Sequence, residues 1–220
     1  LKTYHLEGKG TIYTSFSAGE GRAPVSLRIA EVKEDITIDG GAYSYNQWLK
    51  MDAQGYFDSE QEIKATGTID SEGKIKTGKV TTKTTQKFDQ ERGGFKYKTM
   101  IKEETKELQA DGKFLETAKT IIFEKENGDR IEVTYKDYEN GKPKRRDILE
   151  KIGGKEASRT ETVESGSLES GTIIVKGERI NPVTGNVEKI SERKVRRTST
   201  QLTAELAKQL GLPEDLIGTM

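Results

Sequence analysis

The stretch TYKDYENGKPKRRD, residues 134–147, decides how this part of the chain is expected to fold. Asn140 and Gly141 are the preferred pair for the two positive-φ positions of a type I′ turn, which joins antiparallel strands. Before the turn, apolar and polar residues alternate over 131–135, so that strand has one apolar face and one polar face. The sequence therefore predicts a β-hairpin here.

The return strand of this hairpin breaks the pattern, because basic residues crowd both of its faces: Lys142, Lys144, Arg145 and Arg146. A second basic cluster follows near the end of the chain: Arg193, Lys194, Arg196 and Arg197. Acidic neighbours accompany both clusters, which favours exposed cross-strand ion pairs over a phosphate-binding stripe. A strand that is polar on both faces is expected where a sheet is uncovered or lines a water-accessible interior.

The composition excludes several classes of protein. Of the 220 residues, 31% are hydrophobic and 34% are charged, but 37 basic residues balance 37 acidic ones. A chain without net charge lacks the repulsion that keeps disordered segments open, and it has no overall attraction for nucleic acid or an anionic membrane. The absence of cysteine excludes disulfides, thiolate metal sites and cysteine nucleophiles.

Turn sequences recur along most of the chain at intervals of roughly 12 to 20 residues, which leaves one strand between successive turns. Connections this short join antiparallel neighbours, because parallel strands need a long crossover. The predicted fold is an all-β, antiparallel up-and-down meander of about ten to twelve strands over residues 1–200, forming a barrel or a strongly curved sheet. The turns lie at 19–22, 39–42, 70–74, 90–94, 110–113, 126–129, 139–142, 153–155, 164–167, 169–171 and 181–186.

A short helix is predicted within residues 201–220. Leu202, Leu206 and Leu210 form one apolar stripe at helical spacing, and Gly211 suits the position just after a helix end. We expect this helix to pack on the sheet or cover it, while binding of a partner is the alternative reading.

The segment AYSYNQWLKMDAQGYF, residues 42–57, contains the only tryptophan and is the richest aromatic stretch of the chain. If it is extended, Tyr43 and Tyr45 share a face with Met51, while Trp48 points to the other face. Large aromatic side chains suit the wall of a pocket, although core packing explains them as well. The predicted ligand-binding residues are Tyr43, Tyr45, Trp48, Met51, Tyr56 and Phe57.

No residue pattern points to catalysis, a metal or a cofactor. His5 is the only histidine and lies beside Glu7 on the polar side of the first strand, which predicts a surface histidine. The sequence has no G-x-S-x-G elbow, and its acidic turns lack the spacing of a calcium loop. We therefore predict no catalytic residue, no metal ligand and no cofactor.

These observations predict a non-catalytic binding protein, a β-barrel-like carrier of a small apolar ligand. The alternative is a structural or surface interaction protein that presents an extended, highly charged sheet to a partner. The predicted partner is a small apolar molecule or a protein rather than nucleic acid, and sheet edges could support oligomers. No apolar run is long enough to span a bilayer, no signal peptide is evident, and no feature indicates a compartment.

Overall fold

The computed structural model describes residues 2–8, 14–17, 24–52, 56–93 and 95–198. Thirteen strands and one helical turn form within these residues. The strands are β1 (Lys2–Gly8), β2 (Thr14–Ser17), β3 (Pro24–Asp39), β4 (Ala42–Asp52), β5 (Phe57–Ile69), β6 (Ile75–Phe88), β7 (Thr99–Leu108), β8 (Phe114–Glu124), β9 (Arg130–Glu139), β10 (Lys142–Ile152), β11 (Lys155–Gly166), β12 (Gly171–Ile180) and β13 (Val187–Arg197), and the helical turn is α1 (Gln90–Gly93).

The strands form a single antiparallel meander. From β3 to β13 each strand pairs with the next one along the chain, while β1 and β2 both pair with β3. The path from β1 to β13 has twelve strands, which confirms the predicted all-β meander. Over the described residues β1 and β13 are not paired with each other, so the sheet is not closed and the predicted barrel is not confirmed.

Helix is almost absent from the described residues. The one-turn helix α1 lies in the connection between β6 and β7. In this part of the chain no helix is long and apolar enough to cross a membrane. The predicted helix at 201–220 lies outside the described residues.

The turn at Asn140 and Gly141 confirms the prediction from the opening stretch. Both residues have positive φ angles, 51° and 78°, as a type I′ turn requires. The turn joins β9 to β10 directly, and Lys142 pairs with Glu139 across it.

Strand registers divide the sheet into two faces, because directly opposite residues point to the same side. We call one side the core face, defined by Phe57, Phe88, Phe123 and Ile148, and the other side the polar face. Phe57 lies opposite Phe88, and the pairing continues through β7, β8 and β9 to Ile148. Phe123 and Ile148 are 1% and 4% exposed.

An aromatic cluster covers the middle of the core face. Phe95 and Tyr97, in the connection between β6 and β7, are both buried. The ring of Phe95 lies 4.7 Å from that of Phe88, and the ring of Tyr97 lies 5.6 Å from that of Phe123. Met100 of β7, which begins at Thr99, is buried as well, whereas its neighbour Ile101 is half-buried.

A second cluster forms at the C-terminal end of the sheet. Leu168, in the turn between β11 and β12, packs on Ile173 and Val175 of β12. Ile190 and Val195 of β13 both join this cluster. Strict alternation along β13 would put these two residues, five positions apart, on opposite faces. The β12–β13 register shifts by one residue beside Gly177, reverses the alternation and brings both to the same face. Tyr135 and Val163 complete the cluster.

Candidate interaction surface

The N-terminal strands carry an apolar surface on the core face. Residues that lie directly opposite one another on β1, β3, β4 and β5 form four rows across the sheet. In strand order the rows are Lys2–Ile38–Tyr43–Gly67, Tyr4–Ile36–Tyr45–Ala65, Leu6–Glu34–Gln47–Ile63 and Gly8–Val32–Leu49–Gln61. We call this surface the open face; its main apolar side chains are Tyr4, Leu6, Val32, Ile36, Ile38, Tyr43, Tyr45 and Leu49, and Met51 extends it along β4.

The open face has the residue pattern of a core but not the burial of one. Tyr4 and Leu6 are 56% and 61% exposed, and the other apolar side chains of this face are half-buried. Burial begins on the adjoining strand, where Ala65 and Phe57 of β5 are 8% and 3% exposed. Apolar surface is thus available to a partner on β1, β3 and β4.

The open face has little charge at its centre. Of the row positions given above, only Lys2 and Glu34 are charged, and Glu34 lies opposite Gln47 of the neighbouring strand. The hydroxyl of Tyr45 shares a hydrogen bond with Glu34. Burial raises the pKa of Tyr45, and this hydrogen bond raises the pKa further.

The opposite side of the same strands is polar. Trp48 lies there with the ammonium of Lys33 at 5.5 Å from its ring, a cation–π contact. His5 is exposed, hydrogen-bonds with Asp35 and lies 3.5 Å from Glu7, which confirms the predicted surface histidine. The hydrogen bond with Asp35, followed by that with Glu7, raises the pKa of His5.

The structure brings together only part of the predicted ligand site. Tyr43, Tyr45 and Met51 lie on the open face, as the alternation predicted, and Trp48 lies on the polar face. Tyr43 also donates a 3.3 Å hydrogen bond to the carbonyl oxygen of Thr77.

The remaining two predicted ligand residues lie beyond the end of β4. Tyr56 is half-buried, and its carbonyl oxygen accepts a 2.8 Å hydrogen bond from the amide of Asp89. Phe57 is a core residue whose ring meets that of Phe88 edge-on at 5.8 Å. Core packing, the alternative reading of the aromatic segment, therefore describes Phe57.

The described part of the chain has two grooves, and neither is lined by any of the six predicted ligand-binding residues. A groove of about 590 Å³ lies at the β12–β13 bulge, between Arg159, Lys176 and Glu192. A smaller one of about 270 Å³ lies at the β1–β3 pairing, between Glu7, Gly8 and Val32. Charged side chains border both grooves.

One arginine of each basic cluster leaves the surface, whereas Lys142, Arg193, Lys194 and Arg196 are exposed. Arg146 is 3% exposed, and its Nη2 donates a 2.5 Å hydrogen bond to Glu161 of β11. Arg197 of β13 donates two hydrogen bonds to the same carboxylate, of 2.8 and 3.1 Å. The prediction of exposed ion pairs was wrong for these two arginines, because both point to the core face, where Glu161 neutralises part of their charge.

A second buried carboxylate, that of Glu150, lies on the return strand β10 itself. Glu150 accepts a 2.6 Å hydrogen bond from Arg159 and a 3.1 Å hydrogen bond from the backbone amide of Ile180. The return strand therefore has a buried side after all, formed by Arg146, Ile148 and Glu150.

The two arginines determine the ionisation of Glu161. Burial by itself raises the pKa of this carboxyl, but the charges and hydrogen bonds of Arg146 and Arg197 outweigh that effect. The pKa of Glu161 is thereby lowered from 4.5 to about 2. Glu161 is thus a carboxylate at neutral pH, and its role here is structural.

In the part of the chain that the structure describes, no three His, Asp or Glu side chains are placed so that they could hold a metal ion. Comparisons with protein-family models, curated proteins and solved structures found no match to this chain. The indications of function therefore come from its surfaces.

Sequence reasoning missed part of the open face. The aromatic segment drew attention to β4 alone, while Ile36 and Ile38 of β3 and Tyr4 of β1 complete the surface. The usable signal was the alternation of apolar and polar residues over 32–38, in register with that of 43–49.

Proposed function

We propose that this chain is a non-catalytic interaction protein that binds a protein partner through the open face of β1, β3 and β4. The observation that carries the proposal is the exposure of Tyr4 and Leu6, at 56% and 61%, on a surface patterned like a core. Contiguous exposed apolar surface is typical of interaction sites in folded proteins.

The physical reason is the free energy of the apolar surface. Burying it is favourable by about 25 cal/mol for each Å² removed from water. In the neighbouring part of the core face, this free energy stabilises the chain itself, because the connection between β6 and β7 covers the apolar surface with Phe95 and Tyr97. On the open face a partner would supply the same cover.

A second candidate is the carrier of a small apolar ligand. Three of the predicted ligand residues, Tyr43, Tyr45 and Met51, share the open face and favour this function. The ligand would then lie against a sheet surface instead of inside a closed barrel. A carrier and an interaction protein would use the same apolar residues, so experiments must separate them by the nature of what is bound.

The predicted C-terminal helix remains part of the proposal. The leucine stripe of residues 201–220 follows β13 along the chain, and β13 ends at Arg197. A helix formed there would pack on the sheet or cover it.

Site-specific photo-crosslinking in the cells that produce the protein tests the interaction. A benzoyl-phenylalanine residue in place of Tyr45 reports on the open face, and the same residue in place of Trp48 is the matched control on the polar face of the same strand. We expect protein adducts from position 45 and few from position 48. Equal adducts from both positions, or none from position 45, would contradict the proposal.

A further inference from the structure

The geometry points to a second copy of this chain as the partner of the open face, in a two-fold dimer in which the two open faces pack against each other. This inference rests on the proposed function and names its partner. Two sheets commonly pack with their apolar faces about 10 Å apart and their strands nearly aligned. Two identical open faces provide two apolar sheet surfaces, because each copy has the same core-like pattern of residues.

The rows of the open face are complementary to themselves in one particular arrangement. If the two-fold axis runs along the strands between β3 and β4, each β3 residue of one copy lies over the β4 residue of the same row in the other copy. Val32 then meets Leu49 of the second copy, and Ile36 meets Tyr45. In the outer strands the exposed Tyr4 of β1 lies over β5, where Ala65 is already buried, so the contact is made mainly by β3 and β4.

In the same arrangement the Glu34 carboxylate at the centre of each open face has a polar neighbour. Glu34 of each copy lies over Gln47 of the other copy, so an amide donor faces the carboxylate. The two Glu34 carboxylates do not face each other. The chain as a whole has no net charge, so two copies have no overall repulsion to overcome.

The size of the face sets the expected strength. Three strands about 4.8 Å apart, each contributing seven residues of about 3.4 Å, give on the order of 340 Å² per copy and 700 Å² for two. Stable complexes bury about 1,200–2,000 Å², and smaller interfaces belong to weak or transient ones. The dimer is therefore expected to be weak and to depend on protein concentration.

A dimer formed by pairing of sheet edges explains the apolar residues of the open face less well. Most residues of β13 are charged, which protects that edge against pairing with another strand. Edge addition at β1 would also leave the half-buried apolar residues of β4 without a cover.

Sedimentation equilibrium of the full chain, from about 1 to 300 μM, tests the dimer over the range in which interfaces of this size dissociate. Gln47→Glu places a second carboxylate over Glu34 of the other copy, and we expect it to weaken the dimer by about tenfold or more. The matched control is Asn46→Asp. It makes the same chemical change at the next residue and places a carboxylate opposite Asp35 on the polar face.

Both substitutions create a like-charge pair within the chain, so only the contact between copies distinguishes them. We expect the dimer of Asn46→Asp to dissociate at the concentrations found for the unchanged chain. The double variant Glu34→Gln with Gln47→Glu exchanges the two groups and should restore the dimer. Thermal melts confirm that each variant is folded.

Two results would overturn the inference: a monomer at every concentration, or a dimer that both single substitutions weaken equally. Crosslinking through position 45 separates this failure from that of the proposed function. Adducts with a different protein, together with a monomeric chain, would leave the interaction function standing and remove the second copy as its partner. An absence of adducts from position 45 would remove both.

Discussion

Glu161 of β11 accepts a 2.5 Å hydrogen bond from Arg146 of β10, and both side chains are only 4% exposed. The removal of one partner of a buried ion pair leaves the other charge without compensation. We predict that Glu161→Gln lowers the free energy of unfolding by about 3–5 kcal/mol, the usual cost of such a loss. Urea denaturation followed by circular dichroism measures this change.

Glu164 of the same strand provides the control. It pairs with Lys194 at 2.6 Å, but the two side chains are 39% and 67% exposed. Exposed pairs contribute about 0–1 kcal/mol, so Glu164→Gln should change stability very little. Equal effects of the two substitutions would show that Glu161 is not held in a buried pair.

The same carboxylate gives an acid-dependent contribution to stability. The pKa of Glu161 is about 2 in the folded chain against an ordinary value of 4.5, so the unfolded chain takes up a proton first as the pH falls. The stabilisation is present above about pH 4.5 and is lost as the pH falls towards 2, with a total of about 3 kcal/mol.

Carbon-13 NMR of the side-chain carboxyls tests this prediction at the residue itself. The Glu161 resonance should keep the chemical shift of a carboxylate until the pH falls to about 2 or the protein unfolds. A Glu161 titration midpoint near 4.5 in the folded protein would contradict the prediction. Asp147 needs separate assignment, because Lys136 and Arg145 outweigh its burial and lower its pKa as well.

The local features of the fold could be predicted from the sequence. The turn at Asn140 and Gly141 depends on the φ preferences of two adjacent residues, and the structure has both angles positive. Ile121 and Phe123 are buried on either side of half-buried Ile122, as the two-residue period of a strand requires. Signals of this kind depend only on neighbours along the chain.

Features that depend on distant residues could not be predicted in the same way. The burial of Arg146 requires Glu161, fifteen residues later, and Arg197, thirty-six residues after Glu161. The open face was missed in part because no single strand shows that four strands align in register. The sequence pattern gave no reason to expect the shift between β12 and β13 that moves Ile190 to the core face.

Gly177 of β12 lies beside that shift and close to β11, and its replacement should be costly. Its φ angle is +126°, and a Cβ atom built there would lie 2.4 Å from the carbonyl oxygen of Ser158. We predict that Gly177→Ala lowers the free energy of unfolding by about 2 kcal/mol or more, from backbone strain and from this clash.

Gly185 is the matched control for this substitution. It also has a positive φ, +69°, but a Cβ atom there would have no neighbour within 4 Å. Gly185→Ala should therefore cost only about 1 kcal/mol, the price of the left-handed conformation alone. Thermal melts of both variants give the comparison, and equal losses would show that no backbone crowding exists at Gly177.

Replacement of Trp48 separates a carrier from an interaction protein. Trp48 is half-buried on the polar face beside Lys33, whereas Phe123 is 1% exposed in the core. Trp48→Ala should therefore cost clearly less than Phe123→Ala, for which about 3–5 kcal/mol is typical. Chemical denaturation of the two variants measures the difference.

The same tryptophan tests the six-residue ligand site as the sequence predicted it. If Trp48 belongs to that site with Tyr43 and Tyr45, a fatty acid, retinoid or porphyrin should change its emission saturably, and Trp48→Ala should weaken binding. Since the structure places Trp48 on the opposite face from Tyr45, we expect no saturable change. A ligand bound to the open face should instead be lost in Tyr45→Ala and retained in Trp48→Ala, which calorimetry measures without a tryptophan signal. Binding that requires Trp48 would contradict this placement and favour the carrier first predicted from residues 42–57.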